Sequence, residues 1–145
     1  MEVEIIELKI TDYEEVITLW ENSQGVRLRD ADSRENIERY LHRNPGLSYI
    51  ACHNGKIVGA VLCGHDGRRG YLNHLAVLPD YRRQGIATKL VQSCLSQLQK
   101  QGIDKCHLFI LSENDAASSF WSKQGWRQRS DIIMMSLSSS KSLNA

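Results

Sequence analysis

The stretch that decides the fold is LNHLAVLPDYRRQGIATKL, residues 72–90. Its pattern predicts an apolar strand, a turn at Pro79, a basic loop around Gly85 and the start of a long amphipathic helix. A loop with free backbone N–H groups, two arginines (Arg82 and Arg83) and a helix N-terminus can bind an anion, and phosphate fits it best. We therefore expect a phosphate-bearing ligand at this point of the chain.

The composition is that of an ordinary globular domain. The 145 residues are 41% hydrophobic and 24% charged, with a formal net charge of +1. This balance gives no bulk preference for nucleic acid or for an anionic membrane. No apolar run reaches the length of a membrane span, and the start, MEVEIIELKI, is too acidic for a secretory signal. We therefore expect a cytoplasmic protein that binds neither nucleic acid nor membrane.

The four cysteines are scattered along the chain and form no C-x-x-C pair. This spacing argues against a zinc site or a redox motif, so we expect no metal. Each cysteine lies in an apolar pattern, which predicts small buried thiols in a reducing compartment.

Turn residues and hydrophobic periodicity predict the other elements. Asn54-Gly55 between two β-rich segments is a strong hairpin signal. Asp32 or Ser33 can cap the second helix, and Gly102 can end the long one. In chain order, the predicted elements are a strand at 3–9, a helix at 12–21, a second helix ending before Pro45, strands at 47–52, 56–63 and 71–77, a helix at 86–101, a strand at 105–111, a helix at 114–124, and strands at 126–130 and 132–137.

This order, β-α-α-β-β-β-α-β-α-β-β, predicts an α/β fold with a central mixed sheet covered by helices. The strand–helix–strand unit that follows the basic loop should pair its strands in parallel, with a right-handed crossover. We expect a single domain over residues 1–137 and a flexible, Ser-rich tail over residues 138–145.

The spelling of the basic loop excludes two common phosphate loops. A P-loop requires G-x-x-x-x-G-K-[ST], and the dinucleotide fingerprint requires G-x-G-x-x-G. Residues 82–87, RRQGIA, contain a single glycine. That glycine allows close approach of a ligand to the backbone, and the arginines can make charge-assisted contacts with phosphate. A plain helix N-terminus with solvated arginines would have the same spelling.

Residues 77–87, VLPDYRRQGIA, resemble the central motif of the GNAT superfamily of acyl-CoA-dependent N-acetyltransferases. That motif is Q/R-x-x-G-x-G/A, and it follows a V-x-P-x-[YFW] strand end. Residues 114–126, NDAASSFWSKQGW, independently resemble the family's N-x-x-A-x-x-[LF]-Y-x-x-x-G-[FW] helix. The predicted order of elements is also that of the family. The resemblance covers nearly the whole chain.

The resemblance implies acetyl-CoA as cosubstrate and assigns roles to the matching positions. Backbone groups of Leu75, Ala76 and Val77 would hold the pantetheine arm and the acyl carbonyl, as if the cosubstrate were an added strand. Asn114 would contact it near its pantetheine end. In the family, the strand before the loop and the strand after the long helix splay apart, and the thioester lies between them. The residues implied for the pyrophosphate are Arg82, Arg83, Gln84, Gly85, Ile86, Ala87 and Thr88.

Two positions depart from the family pattern. The family often has a tyrosine, as general acid for the departing thiol, where this sequence has Trp121. An indole N–H donates a hydrogen bond but cannot supply a proton, although the ring could pack on the cosubstrate. Water, Ser119 or Ser122 would then protonate the thiolate, or it would leave unprotonated, because thiol pKa values lie near about 8.5. Some members have a catalytic glutamate at the position of Phe109.

His74 is the best candidate for the general base. It lies in the strand beside the expected thioester, and an imidazole titrates near neutral pH. Strand alternation could instead turn its ring to the other face of the sheet. Glu113 and ordered water are the alternative bases.

The acceptor pocket is expected, from family geometry, in the least patterned regions. These are the end of the first helix at Trp20, the loop at 22–32 and the turn at 64–70. Arginines in the last two segments, Arg27, Arg29 and Arg68, would meet an acidic acceptor or remain solvated loop charges.

The sequence therefore predicts an enzyme that transfers an acetyl group from acetyl-CoA to a primary amine of a small molecule, a protein or a peptide. The alternative is a CoA-binding sensor or regulatory module with little or no transfer, which the residues at 109 and 121 keep open. Exposed apolar residues in the last two predicted strands are compatible with a homodimer.

Overall fold

A five-stranded sheet lies at the centre of the computed structural model, which describes residues 2–145. The strands lie side by side in the order β1-β2-β3-β4-β5, and the first four are antiparallel, while β5 is parallel to β4. Their bounds are β1 (Glu4–Glu7), β2 (Tyr49–His53), β3 (Lys56–His65), β4 (Gly70–Val77) and β5 (Cys106–His107). The predicted α/β class with a mixed sheet is confirmed.

Helices cover both faces of this sheet. In chain order they are α1 (Tyr13–Glu21), α2 (Arg34–Arg43), α3 (Ile86–Lys100) and α4 (Asp115–Lys123). β3 is buried on both sides: Ala60 and Leu62 pack in the core of α1 and α2, whereas Val61 and Cys63 pack in the core of α3 and α4. The two cores therefore share one strand as their common wall.

Local signals place the turns and caps. Asn54 and Gly55 have φ of 51° and 78° and form the tight turn between β2 and β3, as the Asn-Gly pair predicts. The Ser33 hydroxyl accepts a hydrogen bond from the Asn36 N–H at 3.2 Å and so caps α2. Gly102, at φ 82°, follows the end of α3.

The predictions for the last strands are wrong. β5 pairs with β4 only at Gly70↔Cys106 and Tyr71↔His107, so it spans two residues rather than 105–111. Among residues 2–145 the two strands share no further residue pair, so β5 offers only a two-residue edge to another strand. Accordingly, in the described chain, the segments 126–130 and 132–137 form no strand. Apolar side chains of the second segment remain 58% to 98% exposed.

The C-terminal tail lies against the loop between α1 and α2. The carbonyl oxygen of Asn144 accepts a hydrogen bond from the Asp30 N–H at 2.9 Å, and the Ser142 hydroxyl donates to the Asp30 carboxylate at 2.5 Å. The contact falls on a short 3-10 turn, Asp30–Asp32, that leads into α2. Within residues 2–145, none of the helices has the length and apolar character needed to cross a bilayer.

Helix α3 carries the basic loop at its N-terminus, and its packing depends on Leu90, which is fully buried against Gly59 of β3. We predict that Leu90→Ala lowers the free energy of unfolding by about 2–5 kcal/mol, because it leaves a cavity between helix and sheet. Lys89→Ala, at the exposed neighbouring position, should change it by less than about 0.5 kcal/mol. Chemical denaturation measures both, and equal losses would contradict this packing.

Candidate active site

β4 contains one residue more than the segment of β3 that it pairs with. The Cα partners pass from Ala60↔Ala76 to Leu62↔Asn73, so two steps along β3 face three steps along β4. Such an insertion is a β-bulge. His74 lies in this bulge with φ of 57°, in the left-handed region that side chains other than glycine rarely adopt.

The bulge decides which face of the sheet His74 occupies. Its ring contacts Trp20 of α1 edge-on, with 5.1 Å between the ring centroids. Leu75 and Val77 instead belong to the core of α3 and α4. β4 therefore presents His74 on the face of α1 and α2, while its last residues also serve the opposite face.

His74 pairs with Asp32 at the entrance to α2. Its Nε2 lies 2.8 Å from Asp32 Oδ1, and the two side chains are only 18% and 11% exposed. The second carboxylate oxygen accepts a hydrogen bond from the Arg29 N–H at 2.9 Å. The Tyr13 hydroxyl donates to the Asp32 carbonyl oxygen at 2.7 Å. The pair is thus a buried carboxylate–imidazole contact fixed by its neighbours.

The pKa of the Asp32 carboxyl is lowered from its ordinary value. Burial is the largest single influence and raises the pKa, but the hydrogen bonds from His74 and the Arg29 N–H, together with the attraction of His74, outweigh it. Asp32 is therefore an ionised hydrogen-bond acceptor at neutral pH. Sequence reasoning considered Asp32 only as a helix cap, because nothing local indicates a contact between residues 42 positions apart.

A cleft of about 470 Å³, a size typical of ligand pockets, lies at the C-terminal end of β4. Its lining comes from the end of β4, the basic loop, the first turn of α3, the α1–α2 loop and α4. The lining residues are Ser23, Gln24, Leu75, Ala76, Val77, Tyr81, Arg82, Arg83, Gly85, Ile86, Ala87, Thr88 and Phe120. Nine of the twelve residues predicted to contact the cosubstrate are among them, and Gln84, Asn114 and Trp121 are not.

The basic loop has the geometry of an anion site. Gly85 precedes the first residue of α3 with φ of 78° and provides no side chain to cap the helix. The first N–H groups of a helix have no carbonyl partner within it, so those of α3 can bind a ligand at the cleft. The Arg82 Nε donates to the Val77 carbonyl oxygen at 3.2 Å, which ties the guanidinium to the end of β4. Arg83 has φ of 63°, a strained backbone of the kind found at ligand sites.

Asn114 and Trp121 have structural roles. The Asn114 Oδ1 accepts a hydrogen bond from the Ala117 N–H at 3.0 Å and so caps α4. Trp121 is 9% exposed and packs edge-on against Phe120 and Trp126, with 5.1 Å between ring centroids in each pair. Phe120, which sequence reasoning did not select, is the aromatic residue of α4 that reaches the cleft.

The other groups considered for proton transfer are poorly suited to it. Glu113 is exposed, and its pKa is lowered by hydrogen bonds from its own backbone and from Ser112 and by Arg27, so it is a weak base. Ser119 and Ser122 are exposed and lie outside the cleft lining. Of the predicted acceptor segments, the α1–α2 loop reaches the cleft through Ser23 and Gln24.

The turn at 64–70 lies at the opposite end of β4 from the basic loop. His65 Nε2 is 2.9 Å from Gln101 Oε1, and the Gly70 N–H donates to the Lys105 carbonyl oxygen at 2.9 Å. These contacts hold the turn against the C-terminal end of α3. The structure therefore does not bring Arg68 to the cleft, contrary to its expected place in the acceptor pocket.

Comparison with known proteins gives the family. The model of the acetyltransferase (GNAT) family matches residues 13–126. An acetyltransferase of Sodalis glossinidius (strain morsitans) is 35% identical over 133 residues, which cover 92% of this chain and 93% of that protein. An acetyltransferase of Pectobacterium atrosepticum is 41% identical over 112 residues, which cover 77% of this chain and 79% of that protein. The chain belongs to the GNAT family and is an acetyltransferase, as the two motifs imply.

Solved structures agree on the fold. The PaiA N-acetyltransferase from Thermoplasma acidophilum, in complex with coenzyme A, has a TM-score of 0.80 at 22% identity, over 91% of this chain and 94% of that one. An aminoglycoside acetyltransferase from a soil metagenomic sample, in complex with sisomicin, has a TM-score of 0.74 at 19% identity, over 95% of this chain and 97% of that one. An Arabidopsis thaliana protein in complex with the bisubstrate analogue CoA-Ac-MVNAL has a TM-score of 0.68 at 24% identity, over 86% of this chain and 83% of that one. At these identities the likeness shows the shared fold.

The capping role of Asn114 can be tested by stability. Asn114→Ala removes the acceptor of the Ala117 N–H and should lower the free energy of unfolding by about 0.5–2 kcal/mol. Asn114→Asp keeps an acceptor oxygen and adds a favourable charge at the helix N-terminus, so its stability should stay close to that of the wild type. Thermal unfolding measures both, and an equal loss in the two variants would refute the cap.

Proposed function

We propose that the cleft binds acetyl-CoA and that the chain transfers the acetyl group to a primary amine of a small molecule, a protein or a peptide. The observation that carries this proposal is the free edge of β4. β4 pairs with β5 only through Gly70 and Tyr71, so within the described residues 2–145 the rest of that edge has no strand partner. It opens into a cleft whose far end is the anion-binding loop.

The pantetheine arm would pair with this edge. Backbone N–H and C=O groups of Leu75, Ala76 and Val77 would bond to its amides as a neighbouring strand does, because an unpaired edge accepts any extended chain of amides. The pyrophosphate would then lie at the N–H groups from Arg83 to Ala87, where the helix dipole and the guanidinium of Arg82 favour negative charge. The same N–H groups of β4 would stabilise the carbonyl oxygen as charge develops on it.

His74 would take the proton from the attacking amine. It lies in β4 directly before the residues that would hold the thioester, and its ring is on the face of α1 and α2. An acceptor entering from that face would meet the base on one side and the thioester on the other. Water would protonate the departing thiolate, or the thiolate would leave unprotonated. The indole of Trp121 is buried in the core, and Ser119 and Ser122 are outside the cleft.

Both acceptor classes are consistent with the structural neighbours. One neighbour holds sisomicin and another a CoA-Ac-MVNAL conjugate, so this fold accommodates a small amine and a longer extended acceptor. The second candidate, a CoA sensor, is favoured by one observation: Trp121 is buried where the family often has an acid.

Gly85 provides a test of cosubstrate binding. We predict that Gly85→Ala weakens CoA binding by at least about tenfold, or about 1.4 kcal/mol, because a methyl group would stand between the loop N–H groups and the pyrophosphate. Gly102→Ala is the matched control: Gly102 has φ of 82°, against 78° for Gly85, and nothing lies within 4 Å of an added Cβ at either. Each variant should lose about 1–2 kcal/mol of stability from the left-handed backbone. Equal CoA affinities, measured by calorimetry, would contradict the pyrophosphate site.

His74→Ala tests the base. With thiol release from acetyl-CoA followed against a panel of amines and peptides, we expect the variant to lower kcat by about 10²-fold or more while acetyl-CoA affinity is unchanged. His42→Ala, an exposed histidine on α2, is the control and should keep the wild-type rate. Unchanged kinetics in His74→Ala would dismiss the base, binding without release on every acceptor would favour the sensor, and no binding would reject both functions.

A further inference from the structure

The Asp32 carboxylate is held at both oxygens. Oδ2 accepts from the Arg29 N–H at 2.9 Å, and Oδ1 lies 2.8 Å from His74 Nε2. Asp32 is a buried residue, whereas Asp30, two positions earlier in the same turn, is exposed and turns its carboxylate to the Ser142 hydroxyl. One carboxylate of this turn therefore faces inward to the imidazole and the other faces outward to the tail.

The contact is not needed to cap α2. Ser33 makes that cap with its own hydroxyl. Asp32 closes the short turn through Oδ2 alone, which leaves Oδ1 for the imidazole. A buried polar contact beyond the needs of the local backbone calls for another explanation.

The chemistry of the two groups fixes the position of one proton. An ionised carboxylate only accepts hydrogen bonds, so at 2.8 Å the proton between the groups must be on His74 Nε2. In a neutral imidazole the other nitrogen, Nδ1, then carries the lone pair. The ring lies edge-on to Trp20 and is only 18% exposed, and the contact with Asp32 at 2.8 Å holds Nε2 on this side.

We propose that Asp32 is a positioning residue that holds His74 as the Nε2–H tautomer, so that Nδ1 is the atom that accepts the proton of the acceptor amine. The proposal rests on the proposed role of His74 as base. Asp32 itself would touch neither acetyl-CoA nor the acceptor. It would also stabilise the imidazolium formed when the amine proton moves to Nδ1, because the carboxylate stays ionised throughout.

Asp32→Asn tests the tautomer directly. The Arg29 N–H requires an acceptor, so the amide oxygen should take the place of Oδ2 and the NH₂ group should face His74. Nε2 must then accept a hydrogen bond, and the proton moves to Nδ1. Asp30→Asn is the matched control, because its carboxylate does not contact the ring. Nitrogen NMR of histidine-labelled protein at a pH where His74 is neutral reads the tautomer, with His74→Ala assigning the signal among the five histidines.

We expect an Nε2–H signal in the wild type and in Asp30→Asn, and an Nδ1–H signal in Asp32→Asn. An Nδ1–H signal in the wild type, or an unchanged tautomer in Asp32→Asn, would overturn the proposal. The measurement needs no acceptor. If no amine is acetylated, the proposed function fails while the tautomer result still decides the pairing.

Kinetics give the second readout, once an acceptor is found. Asp32→Asn should lower kcat by about 10²-fold to 10⁴-fold with unchanged acetyl-CoA affinity, since the base holds its proton on the wrong nitrogen. The double variant Asp32→Asn/His74→Ala should be no slower than His74→Ala alone, because the two residues act as a unit. Asp32→Glu, which keeps the carboxylate, should recover part of the rate. Additive losses in the double variant would show that Asp32 acts independently of His74, and would overturn the proposal.

Discussion

The incomplete pairing of β4 is the constraint on which the rest of the structure depends. One edge of the strand follows β3, while the other meets β5 at Gly70 and Tyr71 and then runs alone among the described residues 2–145. Unpaired backbone groups need partners, and an open edge beside an apolar cleft offers them to a ligand rather than to another strand. The loop that ends this edge provides N–H groups and arginines. An extended molecule with amides at one end and phosphate at the other fits both features.

The bulge lets the same strand serve both faces of the sheet. Leu72 packs in the core of α3 and α4, so without the extra residue strict alternation would place residue 74 on that same face. With it, His74 reaches Trp20 and Asp32 on the face of α1 and α2, while Leu75 and Val77 line the cleft. Acetyl transfer benefits from this division, because the acceptor amine must reach the thioester from a side that the rest of acetyl-CoA does not occupy. The left-handed backbone at His74 is strain stored where the chemistry is expected.

Much of the fold and of the cleft was predictable from sequence, because the signals are local. The glycine at 85, the arginines before it and the periodic helix after it define the anion site within one short stretch. The Asp32–His74 pair was not predictable, since it joins residues 42 positions apart and depends on a bulge that only the register with β3 reveals. The last two strands were predicted from apolar composition alone, and β5 provides too short an edge to pair with them. Trp121 stands at the motif position where the family often has a tyrosine, but packing buries it and leaves Phe120 to face the cleft.

The most direct measurement is a crystal structure with acetyl-CoA bound. We expect the pyrophosphate on the N–H groups that follow Arg82, the pantetheine paired with the edge of β4, and the acetyl group beside the bulge with His74 on the acceptor side. A cosubstrate bound with its pyrophosphate away from Gly85, or with its acetyl group out of reach of the bulge, would contradict the central claim.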